Sequence, residues 1–101
     1  MPKLERDFQR DTKYKLKVIF PGCIVKRNST DDIQGFPDIT VFYQGRFAML
    51  EFKRSESASK RPNQEYWIEQ IRGIGGFADF IYPENEQEIF DELKEFFTFA
   101  N

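Results

Sequence analysis

The sequence contains no histidine, which limits the chemistry that the chain can carry. Without histidine there is no Ser-His-Asp or Cys-His nucleophilic catalysis, no histidine-based nuclease chemistry and no zinc site of the Cys/His type. The single cysteine, Cys23, also excludes an internal disulfide framework. Any catalysis must therefore use carboxylates, lysine, tyrosine and a hard metal ion.

Long apolar runs are lacking as well. No stretch approaches the roughly 20 apolar residues of a membrane-spanning helix. The opening segment MPKLERDFQR is charged and has no apolar region of the secretory type, and a lone cysteine suits a reducing compartment. These features predict a cytoplasmic protein without membrane contact, in which Cys23 is a small buried apolar residue.

Enough apolar material is present to form a core. The chain has 101 residues, of which 40% are hydrophobic and 12 are phenylalanine. It contains no internal repeat, low-complexity tract or linker. A chain of this size and composition predicts a single domain over residues 1–101.

Charges of the two signs are unevenly distributed along the chain. Residues 1–83 contain 14 basic and 11 acidic residues, a net charge of +3. Residues 84–101 contain one basic and six acidic residues, a net charge of -5. Most of the chain can therefore present a basic face, which is compatible with nucleic-acid binding but does not require it.

Apolar periodicity and turn residues predict seven elements. The apolar spacing from Leu4 to Ile19 favours a helix, although Tyr14, Leu16 and Val18 also alternate as in a strand. The predicted elements are a helix over 3–20, strands over 23–26, 36–43 and 47–53, a helix from 62 or 63 to the glycines at 73–76, a strand over 77–82 and an amphipathic helix after 85. This order, α-β-β-β-α-β-α, predicts an α/β fold with a small mixed sheet flanked by helices.

The segment YQGR joins the two central strands and sets their pairing. If Gln44 and Gly45 form a two-residue hairpin loop, Gly45 supplies the positive φ that such turns need. Tyr43 then faces Arg46, and the numbers of every directly opposed pair add up to 89. The turn alone therefore predicts the register of the hairpin.

One face of this hairpin ends in two carboxylates and an ammonium group. The register places Asp38 opposite Glu51, and Lys53 lies two residues farther along on the same face. Directly opposed like charges destabilise a sheet. One interpretation is a buried ion cluster bridged by Lys53, an arrangement that seldom adds stability. The other is a divalent-metal site in which both carboxylates share Mg²⁺ or Mn²⁺.

The segments around these residues resemble the PD-(D/E)xK nuclease superfamily. Pro37-Asp38 followed by Glu51-Phe52-Lys53 matches its signature, and the predicted element order matches its restriction-endonuclease-like core, αβββαβ plus a C-terminal helix. More narrowly, GFPD, EFKR and PNQEYW resemble the VRR-NUC family. Small stand-alone members of that family, often from phages, are similar to archaeal Holliday-junction resolvases. The resemblance spans about residues 5–83.

The resemblance implies roles for the residues of the motif. Asp38 and Glu51 would hold Mg²⁺ or Mn²⁺, with the backbone carbonyl of Phe52 as a third ligand. Lys53 would position or activate the attacking water.

Two further residues match the family pattern outside that motif. The acidic residue on the family's first helix corresponds to Glu5 as a metal ligand, and Gln9 lies one turn along the same face. The glutamine on the helix after the lysine strand corresponds to Gln64 as a catalytic residue. Alternatively, Glu5 is one of several solvated acids of a polar helix, and Gln64 is a polar residue at a helix start.

The resemblance implies a metal-dependent endonuclease that hydrolyses phosphodiester bonds in branched or duplex DNA, selective for structures such as the Holliday junction, without a small-molecule cofactor. A nuclease for nicked, flapped or single-stranded DNA remains an alternative. So does a non-catalytic nucleic-acid- or protein-binding module on the same fold. The candidate phosphate contacts are Lys13, Lys15, Lys17, Lys26, Arg27, Arg54, Lys60 and Arg61.

The C-terminal helix differs in character, because it is acidic and rich in phenylalanine. Its charge predicts that it points away from DNA. The phenylalanines from Phe90 to Phe99 are more than one small helix is expected to bury, so Phe96, Phe97 and Phe99 predict a subunit contact. A two-fold homodimer would present two active sites to two DNA strands.

Overall fold

The computed structural model describes residues 4–29 and 31–98 of the chain. Its elements are α1 (Glu5–Ile19), β1 (Ile24–Arg27), β2 (Ile39–Tyr43), β3 (Arg46–Phe52), α2 (Pro62–Gly73), β4 (Phe77–Ile81) and α3 (Glu86–Thr98). The predicted order and the mixed α/β class are confirmed. Within the described ranges, no helix is long and apolar enough to cross a membrane.

The four strands form one mixed sheet in the order β1-β2-β3-β4. The β1-β2 and β2-β3 pairs are antiparallel, and β3-β4 is parallel. A parallel pair needs a long crossover connection, which α2 supplies. Residues of α1 and α3 pack on one face of the sheet and form the larger core. Residues of α2 pack on the other face and form a smaller core.

The hairpin formed by β2 and β3 has the predicted register. Tyr43 pairs with Arg46, and Ile39 pairs with Leu50 at the far end. Both loop residues have positive φ, 53° at Gln44 and 76° at Gly45. Positive φ at both central positions matches the right-handed twist of the flanking strands.

The phenylalanines of α3 are more buried than the sequence suggested. Phe90 and Phe97 are only 3% and 4% exposed, because they pack into the larger core of the same chain. Phe96 is half-buried beside Phe77, and the Arg46 guanidinium lies 3.9 Å from its ring centroid. The prediction of an exposed phenylalanine surface on this helix is therefore wrong for these residues. Phe99 lies outside the described residues.

A buried hydrogen bond ties α3 to α1. The Thr12 hydroxyl, fully buried, donates to a Glu86 oxygen at 2.6 Å, and the Lys15 ammonium donates to the other oxygen at 2.9 Å. Lys15 thus has a partner within the chain on the α3 side of the helix. Cys23 is half-buried against the same core, and its thiol lies 3.7 Å from the Leu16 carbonyl oxygen.

Candidate active site

Asp38 lies immediately before β2 and is held at two points. One of its carboxylate oxygens, Oδ2, accepts a hydrogen bond from the Phe52 backbone N–H at 2.8 Å. Its backbone carbonyl accepts a hydrogen bond from the Asn28 N–H, also at 2.8 Å. The carboxylate of Asp38 is thereby fixed at the end of the neighbouring strand β3.

Glu51 lies on β3, on the sheet face that α2 covers. It is only 7% exposed, an unusual burial for a carboxylate. Its oxygen Oε2 accepts a hydrogen bond from the Gln64 side-chain amide at 3.0 Å. One oxygen of Glu51 therefore remains outside this hydrogen bond.

The two carboxyl groups perturb each other's ionisation. Burial, followed by the charge of Asp38, raises the pKa of Glu51 to about 8, although Lys53 opposes the shift. Burial also raises the pKa of Asp38, against the opposing effects of the Phe52 N–H, Glu51, Lys53 and Arg27. The sequence-derived expectation that Asp38 and Glu51 come together is met in the fold.

Gln64 links Lys53 to Glu51. The Lys53 ammonium donates to the Gln64 oxygen at 2.7 Å, while the Gln64 amide nitrogen donates to Glu51. The same Gln64 oxygen accepts from the Arg61 backbone N–H at 3.2 Å. Because Gln64 is the third residue of α2, the start of this helix fixes the lysine relative to the carboxylates.

An open cavity of about 430 Å³ gives access to these groups. We call it the active-site cavity; it is lined by Glu5, Glu51, Phe52, Lys53, Arg54, Ala58, Ser59, Arg61 and Gln64. No residue of α3 lines it, so the acidic helix does not border this opening. Asp38 is connected to its wall through the hydrogen bond to Phe52.

Glu5 lies at the first position of α1 and reaches the edge of this cavity. Its charge contributes to the raised pKa of Glu51, and its Oε2 accepts a hydrogen bond from Gln9 at 3.3 Å. Among residues 4–29 and 31–98, no three acidic, cysteine or histidine side chains converge closely enough to form a metal cluster. The paired carboxylates are thus Asp38 and Glu51, with Glu5 farther out.

The donor set fits a hard divalent cation. Each of the two close carboxylates uses one oxygen in a hydrogen bond, and Phe52, which follows Glu51 on β3 and donates its N–H to Asp38, adds a backbone carbonyl to the potential donors. Two partly buried carboxyl groups with raised pKa values form an unfavourable arrangement that a cation relieves. Carboxylate and carbonyl oxygens are the ligands that Mg²⁺ and Mn²⁺ prefer.

The predicted phosphate contacts of the loops and of β1 do not all line the active-site cavity. Arg54 and Arg61 line the active-site cavity, and the charge of Arg27 acts on Asp38. Lys26 instead donates to the Arg27 carbonyl at 3.1 Å and faces a different surface depression. The Lys60 ammonium lies 5.2 Å from the ring centroid of Phe80.

Asn28 helps to hold Asp38 in place, and it was not identified from the sequence. Its side-chain amide donates to the Pro37 carbonyl at 2.9 Å and to the buried Thr40 hydroxyl at 3.0 Å. Together with its backbone bond to Asp38, these contacts fix the entry into β2. The polar segment RNSTDDIQG gives no signal that distinguishes this asparagine from its neighbours.

Comparison with known proteins agrees with this geometry. No family model and no curated protein matches the chain. Among solved structures, a "VRR_NUC domain" is 26% identical, with a TM-score of 0.70 over 90% of this chain and 94% of that one. A Holliday junction resolvase, Hjc, from the archaeal hyperthermophile Archaeoglobus fulgidus is 20% identical, with a TM-score of 0.54 over 76% of this chain and 67% of that one. The predicted resemblance and the restriction-endonuclease-like fold are confirmed.

Proposed function

We propose that this chain is a metal-dependent endonuclease that hydrolyses DNA phosphodiester bonds. Its fold is similar to that of the VRR-NUC and archaeal resolvase-like nucleases. The observation that carries the proposal is the pairing of Asp38 with Glu51, beside a lysine that Gln64 holds at the wall of the active-site cavity. Such paired carboxylates with perturbed pKa values are typical of functional sites.

Asp38, Glu51 and the Phe52 carbonyl would hold Mg²⁺ or Mn²⁺, and Glu5 is a candidate for an outer ligand position. When bound, the ion would supply Lewis acidity toward the phosphoryl group and toward a water molecule. The Phe52 N–H and the Gln64 amide fix the orientation of the two carboxylates, so these groups would be held ready to bind the ion.

Lys53 would orient the attacking water and offset negative charge on the phosphate. An ammonium group has three N–H donors, and the hydrogen bond to Gln64 uses one of them. The remaining donors are directed by that bond, so Lys53 is held in place before substrate arrives. Donors fixed where negative charge develops lower the barrier of phosphoryl transfer.

DNA is the proposed substrate, and its phosphates would be held by the cations around the opening. Arg54 and Arg61 line the active-site cavity, where they would contact the phosphate backbone near the scissile bond. Such contacts give affinity without sequence readout. Selectivity for a four-way junction, and the homodimer that would cut two strands symmetrically, are part of the same proposal.

The test is cleavage of an end-labelled four-way junction beside the matched linear duplex, in Mg²⁺, Mn²⁺ or EDTA. Lys53→Ala is compared with Lys94→Ala, which removes a cation from α3 and leaves the active-site cavity unchanged. Symmetric, metal-dependent cuts in the junction alone, lost only in Lys53→Ala, support the full proposal. Equal cutting of both DNAs keeps the nuclease and removes the junction selectivity.

Failure to cut either DNA with any metal would favour a non-catalytic binding module. In that case Mn²⁺ should also leave the melting temperature unchanged, because only a ligand that binds the folded state stabilises it. A melting temperature that rises with Mn²⁺, and does so less in a Glu51→Gln variant, would retain the metal site and redirect the search to nicked, flapped or single-stranded DNA.

A further inference from the structure

A second depression lies along α1, beside the active-site cavity. We call it the α1 groove; it is lined by Arg6, Gln9, Arg10, Lys13, Tyr14, Lys17 and Arg27. The four cations of α1 recur at helical spacing, so they lie on one face of the helix. Arg27, from the end of β1, adds a fifth cation. No acidic residue is among the described residues that line the groove.

Neighbouring acidic residues offset the positive charge of the groove only along the first turns of α1. The Arg10 guanidinium lies 3.3 Å from Asp7 and 3.2 Å from Asp11, and Arg6 lies 3.8 Å from Asp7. Lys13 and Lys17 form no ion pair with any residue in the described part of the chain. The positive potential of the groove is therefore least offset toward the C-terminal end of α1.

A side-chain hydrogen bond joins the lining of the α1 groove to the lining of the active-site cavity. Glu5 lines the cavity, and Gln9 lines the groove. The Gln9 side-chain amide donates a hydrogen bond to the Glu5 carboxylate. Arg27 lines the groove and acts electrostatically on Asp38. A chain of phosphates leaving the active site can therefore pass directly onto α1.

We propose that the α1 groove binds the phosphate backbone of a double-stranded arm of the DNA substrate. The proposal deepens the proposed nuclease function, on which it rests. Lys17 is twelve residues beyond Glu5, roughly 18 Å along a helix axis. At 3.4 Å of rise per base pair, this length corresponds to about five base pairs of duplex. The charge spacing along α1 thus matches an extended polyanion rather than one isolated phosphate.

The test measures binding of a fluorescein-labelled 30-base-pair duplex of random sequence in EDTA, by anisotropy at several salt concentrations. The variant Lys13→Ala/Lys17→Ala removes the two cations that lack an ion pair, and Lys94→Ala is the control. The expected result is about tenfold weaker binding at 0.1 M salt. The slope of log affinity against log salt should also fall by about 2, because each lost phosphate contact removes about 0.9. The control should match the wild type.

A charge-preserving variant separates the proposal from misfolding. Lys13→Arg/Lys17→Arg should restore most of the affinity, because it keeps both charges on the same face. An alanine variant that folds normally by circular dichroism and keeps the wild-type affinity and salt slope would overturn the proposal. An equal loss of affinity for a single strand of the same length would overturn its double-stranded part.

Failure of this proposal is distinguishable from failure of the proposed nuclease. If the wild-type protein cleaves DNA and the alanine variant binds duplex normally, the proposed role of the α1 groove is rejected and the proposed nuclease activity is retained. If the wild-type protein never cleaves DNA but the alanine variant still loses duplex affinity, the proposed role of the α1 groove is supported and the proposed nuclease activity is rejected.

Discussion

At the scale of single residues, Glu51 is the group on which the behaviour of the site depends most. It is buried, faces another carboxylate and has a pKa raised to about 8. In the absence of a cation, the folded protein therefore favours the protonated form near neutral pH. Because bound Mg²⁺ or Mn²⁺ requires the ionised form, metal binding should release a proton and tighten as pH rises.

The raised pKa of Glu51 predicts a loss of stability in EDTA as pH rises. Its folded-state pKa lies above the ordinary value of 4.5, so its contribution is fully present below pH 4.5 and is lost on passing through about pH 8. Glu51→Gln should remove this part of the pH dependence. Urea unfolding at pH 5, 6, 7 and 8 measures it, and parallel curves for wild type and variant would contradict the assignment.

Gln64 is predicted to act by positioning Lys53 rather than by contacting substrate. Gln64→Ala frees the ammonium from its 2.7 Å hydrogen bond and should lower the single-turnover cleavage rate about 10- to 100-fold. Gln70→Ala, on the exposed face of the same helix, is the matched control. A purely structural role for Gln64 would instead lower the melting temperature and leave the rate of the folded fraction unchanged.

At the scale of elements, the β2-β3 hairpin carries an identifiable strain. Gln44 has φ 53°, a conformation that glycine and asparagine adopt more easily. Gln44→Asn or Gln44→Gly should therefore raise the free energy of unfolding, by about 0.5–1 kcal/mol. Urea denaturation measures the change, and Gln44→Ala should give no such gain. DNA cleavage should be unchanged, because the loop lies at the opposite end of the hairpin from Asp38 and Glu51.

The hydrogen bond between α1 and α3 predicts a second stability effect. Glu86→Ala leaves the fully buried Thr12 hydroxyl without its acceptor and should lower the free energy of unfolding by about 1–3 kcal/mol. Glu84→Ala, which removes an exposed acid just before the same helix, should change it by less than about 0.5 kcal/mol. Equal effects of the two variants would show that the buried bond contributes little.

The elements that sequence predicts well are those fixed by local rules. Helical spacing located α1, and one two-residue turn fixed the hairpin register and the meeting of Asp38 with Glu51. The supporting contacts were missed because they join distant segments: Asn28 reaches Thr40 across an irregular loop, and Glu86 reaches back to α1. Neither loop shape nor helix docking leaves a periodic signal in the chain.

The wrong prediction that the phenylalanines of α3 are exposed also arises from contacts between distant segments. Counting apolar residues on one helix does not show how much surface its neighbours will cover. Phe97 packs against Phe20, which directly follows α1, and against Tyr43 from β2, and the Arg46 guanidinium lies over the ring of Phe96. These partners lie far away in sequence, so their contribution becomes visible only in the folded chain.

At the scale of the whole molecule, charge is separated between surfaces. The α1 groove carries five cations, whereas α3 contains five acidic residues and one lysine. DNA binding by this protein should therefore fall steeply with salt despite its net charge of -2. The homodimer stays a prediction. Sedimentation equilibrium at micromolar concentration, with and without a four-way junction, measures it, and a monomer bound one-to-one would contradict symmetric cutting.

The two-residue turn at Gln44 and Gly45 has a consequence for how the chain can change. Side chains alternate between faces along β3, so inserting one residue between the turn and Glu51 would move that carboxylate into the apolar layer occupied by Leu50. The chain would keep every functional group, but the pairing of Glu51 with Asp38 would be lost. The pair therefore depends on both face and register: an odd change in the length of β3 moves Glu51 to the other face, and an even change keeps its face but moves it along the strand, away from Asp38.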